Sequence, residues 1–448
     1  MFRSFLVACA AGAAVLAAGT PAPQDPGAPR QAIERWKDAR FGLFVHWGPV
    51  SLTGKEIGWS RGGERRGRQD KTTGETPVEI YDDLYRHFNP VEFDADEWVR
   101  IARAAGMKYL VFTSKHHDGF SEFDSKLTDY KITSAASPYR KDIVRQLADA
   151  CRRGGIMFGI YYSQPDWYRP DYRNGDRHQK YIRYLHGQVR ELLTNYGRVD
   201  SWFFDGLGGT AEDWDAAAML AAMRKLMPNL VINNRAGLPA DYDTPENRVG
   251  FFQNERPWET CATLTRQWAY KPDDTMRTLE ECIRLLVSCA VGDGNLLLNV
   301  GPMADGRIEP RQAARLREMG EFLAKYGESV YGTRGGPIVA PDEKKRSQSA
   351  NAGDLSIAAG QWWGGTTSKG NTIYVHILRW PSDTITLPAI ERKVVRATAL
   401  TGGQAAMKQT PQGIEISVPA DRRHAIDTIV KLELDGPAST IPLKKMEP

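Results

Sequence analysis

From about residue 40 the chain alternates short apolar runs with amphipathic segments, and this alternation limits the available folds more than any other feature. The apolar runs are "FGLFVHWG", "YLVFTSKHHDG", "MFGIYYS", "SWFFDG", "LVINNR", "VGFFQNE" and "NLLLNVGP". Between several of them lie "DADEWVRIARAAG", "DIVRQLADACRRGG", "HQKYIRYLHGQVRELLTNYG", "DWDAAAMLAAMRKLM", "TLEECIRLLVSC" and "PRQAARLREMGEFLAKYG". Apolar residues in these segments recur at three- and four-residue spacing, Asp, Thr or Pro often opens them, and Gly closes them, which is the signature of capped helices. Strands alternating with helices imply parallel strands joined by crossovers. Seven strand-like runs over roughly 290 residues predict an α/β class with a (β/α)8-like TIM barrel over residues 30–337, one strand being weak or irregular. A doubly wound open sheet competes, but no GxGxxG follows the first strand.

After "YGTRGGP" the texture changes. "DLSIAAGQWW", "NTIYVHILRW", "TITLPAI", "KVVRATAL", "GIEISVP" and "TIVKLELDG" are short, alternating and separated by turns, which predicts a C-terminal antiparallel β-sandwich domain over 338–448. A length of 448 residues agrees with two domains. The segment "SRGGERRGRQDKTTGET" after the first strand reads as a charged, mobile loop.

The first residues, "MFRSFLVACAAGAAVLAAG", have an early positive charge, a short apolar run and then small residues. That is the layout of a secretory signal peptide, placed at 1–22, so the protein is expected to be exported, periplasmic or secreted. The segment is too short for a convincing membrane span. Leu6-Val-Ala-Cys9 resembles a lipoprotein cleavage box, but almost no apolar segment precedes it, so lipid anchoring is the less favoured alternative. Four cysteines then remain: Cys151, Cys261, Cys282 and Cys289. Cys282 and Cys289 share a helix face about 10 Å apart, too far to bridge, and buried free thiols are expected.

Charge excludes one class of function. Lys and Arg total 59 against 55 Asp and Glu, and a net +4 over this length gives no electrostatic case for nucleic acid. There is no Walker loop. In a barrel the chemistry gathers at the C-terminal strand ends. Those ends carry His46 and Trp47, His116 and His117, Tyr161 and Tyr162, Asp205, and Asn233, Asn234 and Arg235. In "SKHHDG", His116, His117 and Asp118 are metal-ligand types, but consecutive strand residues face opposite sides. Hydrogen bonding to a polyhydroxyl ligand is the better use of the pair, and neither metal nor cofactor is expected. Asp205 closes the aromatic run "SWFFDG", where Asp-Gly could simply form a turn. Downstream, Glu246, Glu255 and Glu259 could supply the second carboxyl group that glycoside hydrolysis needs. Arg235 would hold a carboxylate or a sugar hydroxyl, or form a salt bridge at the rim.

Taken in order, "FGLFVHWGPVS", "FNPVEFDADEWVRIARAAGMKYLVFTSKHHDGF", "SWFFDG", "NNRAG" and "GDGNLLLNVGPMADGRI" resemble the α-L-fucosidases of glycoside hydrolase family 29. The resemblance covers about residues 36–335. It implies a retaining exo-glycosidase that releases terminal α-linked L-fucose from fucosylated glycans through a covalent intermediate, without a cofactor. It implies Asp205 as nucleophile, with His46, His116, His117, Tyr162 and Arg235 holding the sugar hydroxyls and the nucleophile. Glu56, with Trp59, matches a substrate-binding Glu-Trp element of the first loop, although here the segment reads "KEIGWS". Trp268 falls where an aromatic flanks the sugar methyl. Glu246 is the favoured acid/base, before Glu259 and Glu255. The alternatives are a glycosidase of the same scaffold acting on D-galactose or a sulfated fucose, and a catalytically silent sugar-binding protein.

Overall fold

The structure is a computed structural model that describes residues 25–68, 73–247, 249, 252–339 and 363–446. The signal-peptide segment, the lipoprotein-like box and most of "DLSIAAGQWW" therefore lie outside the described residues. Seven parallel strands form one sheet: β1 (Phe41–Val45), β2 (Tyr109–Lys115), β3 (Met157–Ser163), β4 (Ser201–Asp205), β5 (Val231–Ile232), β6 (Glu259–Thr263) and β7 (Asn295–Val300). Their order is β5-β4-β3-β2-β1-β7-β6, with helices packed outside. The gap between β5 and β6 is closed by an irregular extended segment. Tyr242 bridges Asn233, Asp243 bridges Trp258, and Glu246 bridges Cys261, all in parallel. This is the weak strand the sequence predicts, and it carries Glu246.

One strand differs from expectation. The sixth strand is Glu259–Thr263, not the apolar run 249–255, whose described residues lie in no strand. "ETCAT" reads as polar because Glu259, Thr260 and Thr263 are all buried in the barrel wall, where cross-strand neighbours rather than water surround them.

Both faces of the sheet are covered, so its strands read as nearly continuous apolar runs. Phe44, Tyr109, Val111, Tyr161, Phe203, Cys261 and Leu297 fill the interior. Leu43, Val45, Leu110, Phe112, Ile160, Tyr162, Trp202 and Phe204 pack outward against the helices. Burying each such large side chain contributes roughly 1.5–3 kcal/mol. Caps set the helix ends. Asp94 accepts the amides of Asp96 and Glu97 ahead of helix Ala95–Ala104, and Gly155 at φ 68 ends helix Ile143–Gly154. Thr278 and Glu281 form a capping box on helix Leu279–Val291.

The tail forms two antiparallel sheets, one of five strands and one of three. Ile373, Val375, Ile377, Val430 and Leu432 of the larger pack on Ile385, Leu387, Ile414 and Ile416 of the smaller, giving a sandwich. The short strand Arg334–Gly335 pairs into the larger sheet beside Gly364–Lys369, so pairing in that sheet begins just before residue 338. The described parts of the charged loop after β1 are tied down rather than loose. Arg61 pairs with Asp82 through Nε and Nη2 at 2.6 and 2.6 Å, and Arg66 Nε donates to the Tyr172 carbonyl at 2.9 Å. The four cysteines of the described residues are free and buried.

Candidate active site

At the C-terminal mouth of the barrel lies a cavity of about 560 Å³. Strand parity explains what enters it. Successive residues of a strand point to opposite faces, so on β4 Phe203 and Asp205 share the inner face while Trp202 and Phe204 face the helices. β5 ends at Ile232, and the Asn233 side chain then takes over its ladder. Its Oδ1 accepts the Phe204 amide at 2.8 Å and its Nδ2 donates to the Phe204 carbonyl at 2.9 Å. A Cβ at Gly206 would lie 2.5 Å from the Arg235 carbonyl, so only glycine lets the β4 and β5 loops meet there.

Asp205 is held by two donors, with His117 close by. Its Oδ2 accepts from the Tyr161 hydroxyl at 2.9 Å and lies 3.5 Å from His117 Nε2; its Oδ1 accepts from Arg235 Nη1 at 3.2 Å. Arg235 leaves β5 on the turn Asn234–Ala236. Its Nη2 donates to Glu246 Oε2 at 3.0 Å, and its Nε donates to Thr244 Oγ1 at 2.9 Å. One guanidinium therefore spans both carboxylates. Burial disfavours its charge, but the two carboxylates outweigh that and hold its pKa above the ordinary arginine value.

The imidazoles are neutral. Burial lowers His46 to about 4, against the opposing pull of Asn299 and Asp205. Burial, reinforced by the neighbouring imidazoles and, at His117, by Lys115, Arg68 and Arg235, puts His116 and His117 well below the usual range. Partners fix two tautomers. Asn299 Nδ2 donates to the Trp268 carbonyl at 2.8 Å, so its Oδ1 faces His46 Nδ1 at 2.7 Å and accepts that proton. The Ser163 hydroxyl donates to the Pro165 carbonyl at 2.6 Å, which leaves its oxygen to accept from His117 Nδ1 at 2.6 Å. Both rings carry their proton on Nδ1 and present an unprotonated Nε2, a hydrogen-bond acceptor. Trp59, Trp268, Phe44 and Phe203 supply apolar walls.

Of the residues singled out by sequence, Asp205, Glu246, His46, Trp59, His116, His117, Arg235 and Trp268 all line this cavity. Two do not. Tyr162 points outward, and its hydroxyl donates to Gln188 Oε1 of helix His178–Asn195 at 2.7 Å; Tyr161 is the tyrosine that meets Asp205. Parity could have found it, because Tyr161 registers with Phe203, two residues before Asp205. Glu56 accepts three backbone amides instead of facing the cavity. Burial raises it to about 7 in spite of those donors. Glu255 is exposed, and Glu259 sits at the start of β6, at the opposite end of the barrel, bonded to the Tyr109 hydroxyl. Asp118 accepts from the Tyr81 hydroxyl at 2.7 Å and the Phe120 amide at 3.2 Å, forming the turn after the histidines. Asn299, Ser163 and Thr244 carried no sequence signal. Among the described residues, no group of three or more His, Cys, Asp or Glu is arranged to hold a metal, and no helix is long and apolar enough to cross a membrane.

A family model described as alpha-L-fucosidase matches residues 13–328. The tissue alpha-L-fucosidase of Mus musculus is 30% identical over 417 residues, covering 86% of this chain and 88% of that protein. Among solved structures, alpha-L-fucosidase isoenzyme 1 of Paenibacillus thiaminolyticus superposes with a TM-score of 0.76 at 34% identity, covering 90% of this chain and 99% of that one. A GH29 alpha-L-fucosidase of Bacteroides thetaiotaomicron, described as a trapped covalent intermediate with 2-fluoro-fucosyl fluoride, matches with a TM-score of 0.76 at 26% identity, covering 92% of this chain and 98% of that one. On the match to the family model, the relative from mouse and the architecture together, the chain belongs to the α-L-fucosidase family of glycoside hydrolases, GH29.

Proposed function

We propose that the protein is a retaining exo-α-L-fucosidase acting on terminal α-L-fucosyl groups of glycans. The observation that carries this reading is the pair of carboxylates, Asp205 and Glu246, on different strands of one cavity and joined by Arg235. A guanidinium can span two carboxyl groups held about 5 to 5.5 Å apart, the separation a double displacement uses. The Bacteroides thetaiotaomicron relative, described as a trapped covalent intermediate, supports the same course.

In the first step an Asp205 oxygen bonds to the anomeric carbon as the C1–O glycosidic bond breaks, and the leaving oxygen takes the proton of Glu246. In the second, Glu246 removes a proton from water, the water oxygen bonds to C1, and the Asp205 ester bond breaks. Arg235 and Tyr161 hydrogen-bond and orient the Asp205 carboxylate that attacks, and they receive its charge back when the ester is hydrolysed. The ion pair between Arg235 and Glu246 suits the base of the second step; in the first, the protonated carboxyl turns from the guanidinium to the leaving oxygen. The unprotonated Nε2 atoms of His46 and His117 accept from sugar hydroxyls, and the aromatic walls accommodate the 6-deoxy carbon.

The test is to follow an aryl α-L-fucoside by proton NMR. Free α-L-fucose as the first-formed anomer is expected. First-formed β-fucose contradicts the double displacement, and no turnover contradicts the assignment of activity.

A further inference from the structure

The carboxylate of Glu56 is committed to the backbone of another loop. Its Oε2 accepts the Trp268 amide at 2.8 Å, and its Oε1 accepts the amides of Ala269 and Ile57, each at 3.0 Å. The Trp268 peptide is gripped on its other side as well, since Asn299 Nδ2 donates to its carbonyl at 2.8 Å while Asn299 Oδ1 accepts a hydrogen bond from His46 Nδ1. Gln267 Nε2 adds a second tie between the same loops, donating to the Gly54 carbonyl at 3.2 Å. The side chain so fixed is a cavity wall: the Trp268 ring lies 4.7 Å from the His46 ring and 5.9 Å from Phe44.

These contacts come from loops 212 residues apart in sequence, and they form one chain running Glu56, Trp268 backbone, Asn299, His46. Three of the about four acceptor sites of the carboxylate are taken by amides, and Glu56 is absent from the cavity lining.

We propose that Glu56 and Asn299 are positioning residues: together they clamp the Trp268 peptide, so setting the aromatic wall against the sugar and the tautomer of His46, and Glu56 itself makes no sugar contact. The inference rests on the cavity being the fucose site. It differs from the role the family resemblance implies for Glu56. Ile57 and Gly58 separate Glu56 from Trp59, and Trp59 lines the cavity while Glu56 does not.

The test is a double-mutant cycle with Glu56→Gln in the wild-type and Trp268→Ala backgrounds, reading kcat and KM on an aryl α-L-fucoside. The isosteric amide keeps one acceptor but turns a donor toward a peptide N–H. Glu56→Gln alone is expected to raise KM about tenfold with kcat within about threefold, and to add less than about twofold once the tryptophan is gone. An equal loss in both backgrounds overturns the clamp and makes Glu56 a direct ligand. Hydrogen exchange reads the same claim without activity: the amides of Trp268 and Ala269 are expected to exchange at least about tenfold faster in Glu56→Gln, and unchanged protection overturns it. Should that variant fail to fold, a crystal of the wild-type protein with a fucose-configured iminosugar decides. Glu56 on the 268 and 269 amides supports the proposal, and a Glu56 hydrogen bond to a sugar hydroxyl refutes it. Wild-type turnover of the aryl fucoside separates the two questions, because its absence defeats the functional reading while leaving the exchange test standing.

Discussion

Glu246 reaches the cavity from a segment that is neither a regular strand nor a free loop, and its partner there is Arg235. A general acid matters in proportion to the basicity of the oxygen it protonates. Glu246→Ala is therefore expected to slow hydrolysis of a natural fucosylated oligosaccharide by about 10²–10⁴-fold and that of an activated aryl fucoside much less. Rates on both substrates check this, and equal losses move the role to another group. Glu255 and Glu259 resemble Glu246 as letters in a sequence but not in surroundings: one faces solvent and the other lies at the far end of the barrel. The choice among three glutamates was legible only as a preference, since which of them meets the mouth depends on how the chain closes the barrel between β5 and β6. Tyr161 and Tyr162 are adjacent letters on opposite faces of one strand, and only the register of β3 against β4 separates them.

The elements place these side chains through strand ends and through polar residues buried in the wall. Glu259 opens β6 and accepts from the Tyr109 hydroxyl, which opens β2 across the barrel interior. Burial lifts its carboxyl to about 8, against the pull of that hydrogen bond. The folded protein thus holds this proton more tightly than the unfolded chain, whose glutamate titrates near about 4.3. Its contribution to stability is complete below that pH, declines as pH rises toward about 8, and is level above. Glu259→Gln stays neutral throughout, so its Tm relative to wild type is expected to climb from pH 5 to pH 8, by an amount worth roughly 1–3 kcal/mol. A difference independent of pH contradicts the placement. The same strand shows why sequence located six of the seven regular strands and missed one. Periodic apolarity reports burial among apolar neighbours, and β6 is buried among hydrogen-bonded ones. Asn299 was hidden for a related reason: inside "NLLLNVGP" it reads as an interruption, and its partners lie 31 and 253 residues away.

At the scale of the whole molecule, the sandwich is fastened to the barrel by a buried imidazole. His376 Nδ1 lies 2.7 Å from Asp427 Oδ2, and its Nε2 lies 3.3 Å from the carbonyl of Ser329, in the last turn of the barrel. Thr367 of the sandwich donates its hydroxyl to that same carbonyl at 2.6 Å. His376→Ala leaves Asp427 buried without this partner, so it is expected to lower stability by about 1–3 kcal/mol, seen as a reduced Tm, with kcat/KM on an aryl fucoside within about twofold at 25 °C. Loss of activity in a folded variant would show that the sandwich shapes the mouth. The alternation of strands and helices made the barrel legible, and the change of texture near residue 337 made the second layer legible; the latch between them, built from residues 329, 367, 376 and 427, has no local pattern to read. The account as a whole depends on the fold delivering Asp205 to the anomeric carbon. The direct measurement is incubation with 2-deoxy-2-fluoro-α-L-fucosyl fluoride followed by peptide mapping, because the fluorine at C2 slows hydrolysis of the ester while fluoride leaves readily. A single fluorofucosyl group on the peptide containing Asp205, absent from Asp205→Ala, is the predicted result; a label on a different residue, or rapid turnover by a protein lacking the Asp205 carboxylate, would contradict it.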